Sequence, residues 1–322
     1  MSYTLYLARG SALYDISEIS GKIEWGDSLD TIGADMSFTA AVTDEFAVQG
    51  KDIVILKNNE ELFRGIVLTK TGTFDGTATC KLYDFGYFMG QSKIIMQFNG
   101  TPASAAVKQV CDKAGVDVGV IPDMKTSVKK VYFNETPADI IKDIVSQEFG
   151  ESAEQYYIEI RGSALYIFKP FEVTGTFKPA DNVAAFDVTN TPSSPVLTEN
   201  VSGIWNDVIV VSGSAESHRV IAEAKDDEDI AKSGLRQTIE VIEDKNVAQA
   251  SNIAKNKLKE YGTIQRTLSA DMPGADNIRS GRIITYEDEE NGLTGKYLIK
   301  SCRHSIDGGI HTLSADMEEW SG

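Results

Sequence analysis

Apolar and polar residues alternate along much of this 322-residue chain. The hexapeptide TLSADM shows it most clearly, at Thr267–Met272 and again at Thr312–Met317. In both copies Leu, Ala and Met take every second position, with Thr, Ser and Asp between them. Period 2 marks a strand with one buried and one wet face. The surrounding residues, from RTLSADM through RIITYEDEENGLTGKYLIKSC to RHSIDGGIHTLSADM, predict four antiparallel strands. Asn291-Gly292 and Gly308-Gly309 supply two of the turns, because tight hairpin turns need residues that tolerate positive φ. The two TLSADM strands are then the first and fourth of one set.

The segment Met36–Asp84 repeats this grammar near the other end of the chain. Ser37–Val42 alternates, a loop ends in Gly50-Lys51 as the later one ends in Gly281-Arg282, and DIVIL stands where RIITY stands. Gly65 opens a third strand as Gly295 does, and an Asp75-Gly76 turn precedes TATCKL. A shared order of elements predicts one β-architecture written twice.

Between the two copies the period changes. FNGTPASAAVKQVCDKAG (98–115) is echoed by FNETPADIIKDIVSQEFG (133–150). Thr101 and Thr136 are placed to cap helices with Pro102 and Pro137 at the first helical position, and Gly115 and Gly150 to end them. Ala106, Val107, Val110 and Ala114, like Ile140, Ile141, Ile144 and Val145, follow helical spacing. RGSALY also occurs twice, at Arg9–Tyr14 and Arg161–Tyr166, and reads both times as a hairpin, with Gly162-Ser163 suiting a type II′ turn. From Val173 to Gly203 the chain is rich in Pro, Ser, Thr and Asn, and TNTPSSPVLTEN reads as an irregular crossing segment. IWNDVIVVSGS and RQTIEVIED are expected strands around an acidic excursion, ESHRVIAEAKDDEDIAKSG. A helix follows from about Lys245 to Gly262, with Val247, Ala250, Ala254 and Leu258 on one face.

Composition narrows the function. Forty-eight acids against 31 bases give a net charge of −17, which disfavours tight binding to nucleic-acid phosphate. The apolar runs are strand-sized, so no membrane insertion is expected. The first residues lack the basic-then-apolar pattern of a secretion signal, which predicts manufacture and use without classical export. Cys80, Cys111 and Cys302 are scattered, as reduced thiols are, and supply neither a disulfide framework nor a zinc site.

The histidines are His218, His304 and His311. His304 and His311 flank the Gly308-Gly309 turn on facing strands, where a polar cross-strand pair is a better reading than a metal site with two ligands. Acidic groups cluster at 226–229 and 287–290, both read as solvated loop tips. No nucleophile, P-loop, metal-protease or base-and-aromatic nucleic-acid motif is present. No catalytic, metal or cofactor-binding residue is therefore expected.

With these features in view, KIEWGDSLDTIGADMSFTAAV, ELFRGIV (Leu62–Val67 at its centre) and the terminal YLIKSCRHSIDGGIHTLSADM resemble the baseplate hub family of contractile phage tails and phage-tail-like bacteriocins. The resemblance is to the PBSX-type prophage hubs, related to late control D proteins, and covers nearly the whole chain. It implies two tail-tube-like antiparallel β-barrel domains joined by a small α/β domain: 1–92, an α+β domain at 93–175, a crossing segment at 176–203, and a second barrel with one helix at 204–322. It further implies a structural homotrimer joining a six-fold tail tube to a three-fold central spike. The tail tube protein, other baseplate proteins and a tape measure protein would be its partners. Assembly is expected in the bacterial cytoplasm, followed by residence in the particle's baseplate. Asp226, Asp227, Glu228 and Asp229 are expected to form an acidic loop projecting from the ring. Two rivals follow from the same residues: a tail-associated cell-wall hydrolase with its acids on loops, and a carbohydrate-binding β-protein using Trp25, Trp205 or Trp320.

Overall fold

The computed structural model describes residues 3–42, 48–72, 76–152, 154–177, 193–214, 217–242, 247, 250–262, 264–287 and 293–320. The chain forms two compact units, one of residues 1–196 with 268–322, the other Leu197–Thr267. It is mainly β, and its sheets are largely antiparallel.

The first seven strands are β1 (Thr4–Arg9), β2 (Ala12–Asp15), β3 (Ser20–Ser28), β4 (Asp35–Ala41), β5 (Ile53–Asn58), β6 (Glu60–Gly72) and β7 (Thr77–Tyr83). Helix α1 (Phe85–Met89) leads into β8 (Ile94–Pro102), α2 (Ala103–Ala114), β9 (Asp117–Val118), β10 (Ser127–Glu135), α3 (Pro137–Ser152), β11 (Tyr157–Arg161), β12 (Ala164–Phe168) and β13 (Phe171–Phe177). Then come β14 (Ser193–Asn200), β15 (Asp207–Ser214), β16 (Ser217–Lys225), α4 (Asp227–Ser233), β17 (Gln237–Ile242) and α5 (Ala250–Tyr261). The chain closes with β18 (Gln265–Pro273), β19 (Arg282–Tyr286), β20 (Gly295–Asp307) and β21 (Ile310–Glu319).

The duplication is present in the hydrogen bonding. β7 pairs with β4 and β6, and β6 pairs with β5. Likewise β21 pairs with β18 and β20, and β20 with β19. Both third strands are 13 residues long and carry a bulge at matching places, after Val67 in β6 and after Ile299 in β20. In each copy a residue at positive φ, Lys51 (73°) or Gly281 (77°), donates its amide to the carbonyl just before that bulge, at 2.9 Å. The glycines fall out of step with the sequence alignment. Gly65 faces Val54 as Tyr297 faces Ile284, so the counterpart of Gly65 is Tyr297 and not Gly295. Lys51 likewise matches Gly281. Loop insertions of one or two residues shift the count without disturbing the pairing.

The TLSADM strands lie side by side as β18 and β21. Leu268, Ala270, Met272, Leu313, Ala315 and Met317 are all buried in one core. On the wet face each copy's serine donates to the other's aspartate: Ser269 Oγ to Asp316 Oδ1, and Ser314 Oγ to Asp271 Oδ1. The word is therefore self-complementary when paired antiparallel with itself.

The predicted helices form, with shifted ends. Thr136 caps α3, accepting the Asp139 amide at 3.0 Å while its hydroxyl donates to the Asp139 carboxylate at 2.6 Å. Thr101 does not cap α2, because β8 runs on through Pro102 to the helix. Gly115 ends α2 at φ 69°, but α3 continues past Gly150 to Ser152. Both helices share a core with Phe98, Tyr132 and Leu165. Each RGSALY turn places only its glycine at positive φ (Gly10 at 60°, Gly162 at 61°), which fits type II′.

Two expectations need correction. TNTPSSPVLTEN is not wholly irregular, since Ser193–Asn200 is the strand β14, where Val196, Leu197 and Thr198 favour extended backbone. The acidic excursion contains β16, antiparallel to β15, followed by α4. In the Leu197–Thr267 unit α5 packs Ala250 and Ala254 on Val210. Asn291-Gly292, Asp75, Lys245 and residues 288–290 lie outside the described residues. Among the described residues the main sheet is an open path with one branch, without a closed ring of pairings.

Candidate functional site

The two β-copies meet where β3 pairs antiparallel with the second half of β20, from Ser28 opposite Ser301 to Ile23 opposite Ile306. Backbones approach closely here. A Cβ on Gly26 would lie 2.4 Å from the Cys302 carbonyl oxygen, so no larger residue fits without parting the strands.

A buried polar cluster sits on this seam. Trp25 stacks on His304 with ring centroids 4.4 Å apart and planes within 5°. His304 Nε2 donates to the Ile278 carbonyl (2.9 Å), and its Nδ1 lies 2.9 Å from His311 Nε2. His311 Nδ1 is 2.7 Å from the Tyr3 hydroxyl, which is 2.8 Å from Asp276 Oδ1, and Asn58 donates to the other Asp276 oxygen. The cross-strand histidine pair expected from the turn spacing is thus present, and Tyr3, Trp25, Asn58 and Asp276 join it from distant parts of the sequence.

Burial, reinforced by His311, pushes His304 down to about 4 despite the charge of Asp27. His311 is lowered by burial, with Asp276 opposing. Both imidazoles are therefore neutral at pH 7, with the His304 proton on Nε2 and the His311 proton directed at His304. The single Tyr3 hydroxyl proton then faces two acceptors, His311 Nδ1 and Asp276. The chain of contacts is one proton short of full satisfaction until His311 is protonated.

An ion pair flanks the cluster. Arg279 meets Asp27 at 2.7 Å, the Ser280 amide donates to Asp27 at 2.9 Å, and the Cys302 thiol points at the same carboxylate. Burial raises the Asp27 carboxyl, but Arg279 and these donors outweigh it and hold it at about 2. Burial and Asp27 together push the Cys302 thiol well up, which leaves it un-ionised and unreactive. Arg282 pairs with buried Glu159 at 2.8 Å and lies over Phe168 and Phe171. Asp84 caps α1 and accepts the Ala34 amide, yet burial drives it up to about 7 against those bonds.

The groove beside the seam, about 530 Å³, contains Asp27, Asp35, Asp271 and Asp316. Each is engaged within the fold: Asp27 by Arg279, Asp35 by Arg303 at 2.8 Å, Asp271 by Ser314, and Asp316 by Ser269 and Ser301. The groove carboxylates brace strands, and no pair of them is poised for acid–base work. Among the described residues no group of three or more His, Cys, Asp or Glu stands close enough to hold a metal ion, and no helix is long and apolar enough to cross a membrane.

The acids at 226–229 open a helix and do not form a loop tip. Asp226 accepts the amides of Glu228 and Asp229, while Asp229 braces Asn206 and pairs with Arg236 at 2.7 Å. Negative charge in a first helical turn is stabilised by the helix dipole. The seam residues of the N-terminal half left little trace in the sequence. Two arginines close together in the NIRSGR loop are the nearest to a signal for the buried pairs.

The chain matches the model of the YQBQ-like family over residues 23–318. It is 22% identical over 281 residues to the phage-like element PBSX protein XkdQ of Bacillus subtilis, covering 85% of this chain and 83% of that one. Its fold is similar to the 43 kDa tail protein of prophage MuSo2 from Shewanella oneidensis, with TM-score 0.73, 16% identity, and 99% and 98% of the two chains covered. It is also similar to the Escherichia coli c3393 protein, a type VI secretion component described as resembling T4 tail proteins gp27 and gp5. That match has TM-score 0.51 and 10% identity, and covers 94% of this chain and 74% of the other.

Proposed function

The chain belongs to the YQBQ-like family, and we propose that it is the structural hub subunit of a phage tail or tail-like contractile particle. On this reading 1–92 and 204–322 hold two tail-tube-type barrel domains, 93–175 links them and 176–203 crosses between them. Three chains then present six similar modules to a six-fold tube and three-fold symmetry to a central spike. The observation that carries the proposal is the repeated four-strand pattern, with matching bulges and matching positive-φ residues, joined within one chain at the β3–β20 seam.

Symmetry adaptation is geometry, not bond chemistry, and the site suits it. The buried charges are paired, the histidines are neutral and Cys302 is inert, so the seam holds two modules in fixed register. The chain is a structural protein in this proposal, without catalytic or cofactor chemistry. It is made in the bacterial cytoplasm, and its partners are copies of itself, the tube protein, the spike and other baseplate proteins, with a tape measure protein nearby. The acidic surplus falls partly on the ring's inner wall, where it repels passing phosphate, and Asp226–Asp229 projects from the ring.

Electron microscopy of the parent particle with this subunit tagged tests the proposal. Three copies at one end of the tube are expected. Six copies at that end, or copies distributed along the tube, overturn it.

A further inference from the structure

The FNGTP and FNETP copies do not bury the same side chains. β8 and β10 pair antiparallel, and each carries one bulged residue at positive φ, Gly100 (79°) in β8 and Asn134 (59°) in β10. In the aligned repeat Asn134 answers to Asn99 and not to Gly100, so the second bulge comes one residue early. Asparagine is among the few residues that visit this backbone region routinely. The early bulge reverses the faces. Phe98 is buried, but its counterpart Phe133 is 71% exposed, and Tyr132 takes the core place beside Phe98. The Tyr132 hydroxyl is held there by Asp143 at 2.6 Å.

The outward face of the pair is apolar toward one end. Phe133 lies opposite Ile95 (62% exposed), and Val131 (59%) lies opposite Gln97. Gln97 and Asn99 show that this face accepts polar side chains, so the fold does not require three large apolar ones together. Contiguous exposed apolar groups of this kind mark interaction surfaces, whereas single ones are ordinary.

The charge on this face has one sign. Lys129 stands opposite Asn99, and Lys93 comes just before β8 at the Ile95 end; both are exposed. Neither makes an ion pair among the described residues, whereas Lys130, on the core side, pairs with Asp143 at 3.1 Å. The acid of the two strands is Glu135, which lies past the bulge opposite Ile94 on the side that packs on the core. In a chain of net charge −17, an acid-free face flanked by lysines calls for an acidic complement. A second copy brings the same face, and pairing the two sets lysine against lysine. An anionic membrane gains about 1 kcal/mol from each of two lysines and repels the rest of the chain.

We propose that the outer face of β8 and β10 docks a different protein chain, through an apolar segment flanked by aspartate or glutamate. Phe133, Ile95 and Val131 take the apolar side chains, and Lys93 and Lys129 take the acids. Lys129 faces a residue six positions on from Lys93, which sets the acids roughly 20 Å apart at about 3.3 Å per residue.

A photo-cross-linker at the centre of the face tests it without disturbing these five residues. In the intact particle, the variant Gln97→p-benzoylphenylalanine is expected to join this chain to one other protein, at a peptide that combines apolar residues with Asp or Glu. That peptide, synthesised, is expected to bind the full-length chain, more weakly as salt rises. It is expected to bind at least tenfold more weakly to Phe133→Ser and to the double variant Lys93→Glu with Lys129→Glu. Circular dichroism and the urea midpoint should stay unchanged in both, because all three side chains are exposed. A cross-link to a second copy of this chain, no cross-link in assembled particles, a peptide without acids, or a peptide that both variants still bind overturns the proposal. So does binding to phosphatidylglycerol vesicles that both variants lose. That the partner belongs to a tail particle rests on the hub reading. Six copies at the tube end would overturn that reading and leave the cross-link at Gln97 standing.

Discussion

Replacing His304 with Phe tests the protonation chemistry of the seam. Phenylalanine keeps a flat ring against Trp25 but leaves the Ile278 carbonyl without its donor and the His311 Nε2 proton without its acceptor. Two buried partners left unsatisfied cost about 1–3 kcal/mol each before relaxation, so a loss of about 3 kcal/mol is expected at pH 7.5. The cost depends on pH. His304 titrates at about 4 in the folded chain against an ordinary 6.5, so between these values the unfolded chain binds the extra proton. Its contribution is complete above pH 6.5 and is lost as pH falls to about 4. At about 1.4 kcal/mol per unit, that loss is about 3 kcal/mol in the wild type and absent in the variant. The gap between the two proteins should close almost to zero at pH 4. Asp84 acts in the opposite sense, because an acid raised from 3.8 to about 7 weakens the fold as pH rises through that interval. It is present in both proteins and cancels in the difference. Urea unfolding read by Trp25 fluorescence, with Trp205 and Trp320 replaced by Phe, reports this unit without assuming that the whole chain unfolds together. A gap that is constant with pH, or widens in acid, refutes the reasoning.

Three further substitutions probe the same region. Arg279→Met leaves the Asp27 carboxylate buried without its cation and should cost about 3–5 kcal/mol in urea unfolding. Gly26→Ala drives a methyl into the Cys302 carbonyl and should cost about 1–3 kcal/mol, with faster amide exchange in β3 and β20 as its signature. Lys51→Gly should stabilise the chain by about 1 kcal/mol in thermal unfolding, because a lysine at φ 73° occupies the place that the other copy gives to Gly281.

Local chemistry was legible in the sequence and register was not. TLSADM, the two RGSALY turns and the Pro137 helix carry their own short-range signals, and the structure forms all of them. The order of strands in the two copies was also readable, because glycine-containing turns punctuate it. Matching Gly65 to Gly295 failed because pairing is fixed by the bulges at Leu68 and Lys300, which have no sequence signature. β14 was read as irregular because Pro195 and its neighbours look like a linker, although an edge strand tolerates proline. His304 and His311 flank one turn, so their meeting could be foreseen. Tyr3, Asp27 and Asp276 reach the same cluster only through tertiary pairing.

The seam also shows why a junction between two β-modules would be polar. A ladder alone tolerates slippage, and a shift by one residue turns every side chain to the wrong face. An apolar seam would still bury much of its surface after such a slip. Here a slip of β3 against β20 would take Trp25 off His304, part Cys302 from Asp27 and set Gly26 beside a different carbonyl. Such a slip would lose a ring stack, a buried hydrogen bond to a carboxylate and the close fit at Gly26 together, so the wrong register is penalised. In the proposed role that penalty would matter, because an error of one residue between modules would repeat at each copy around a ring.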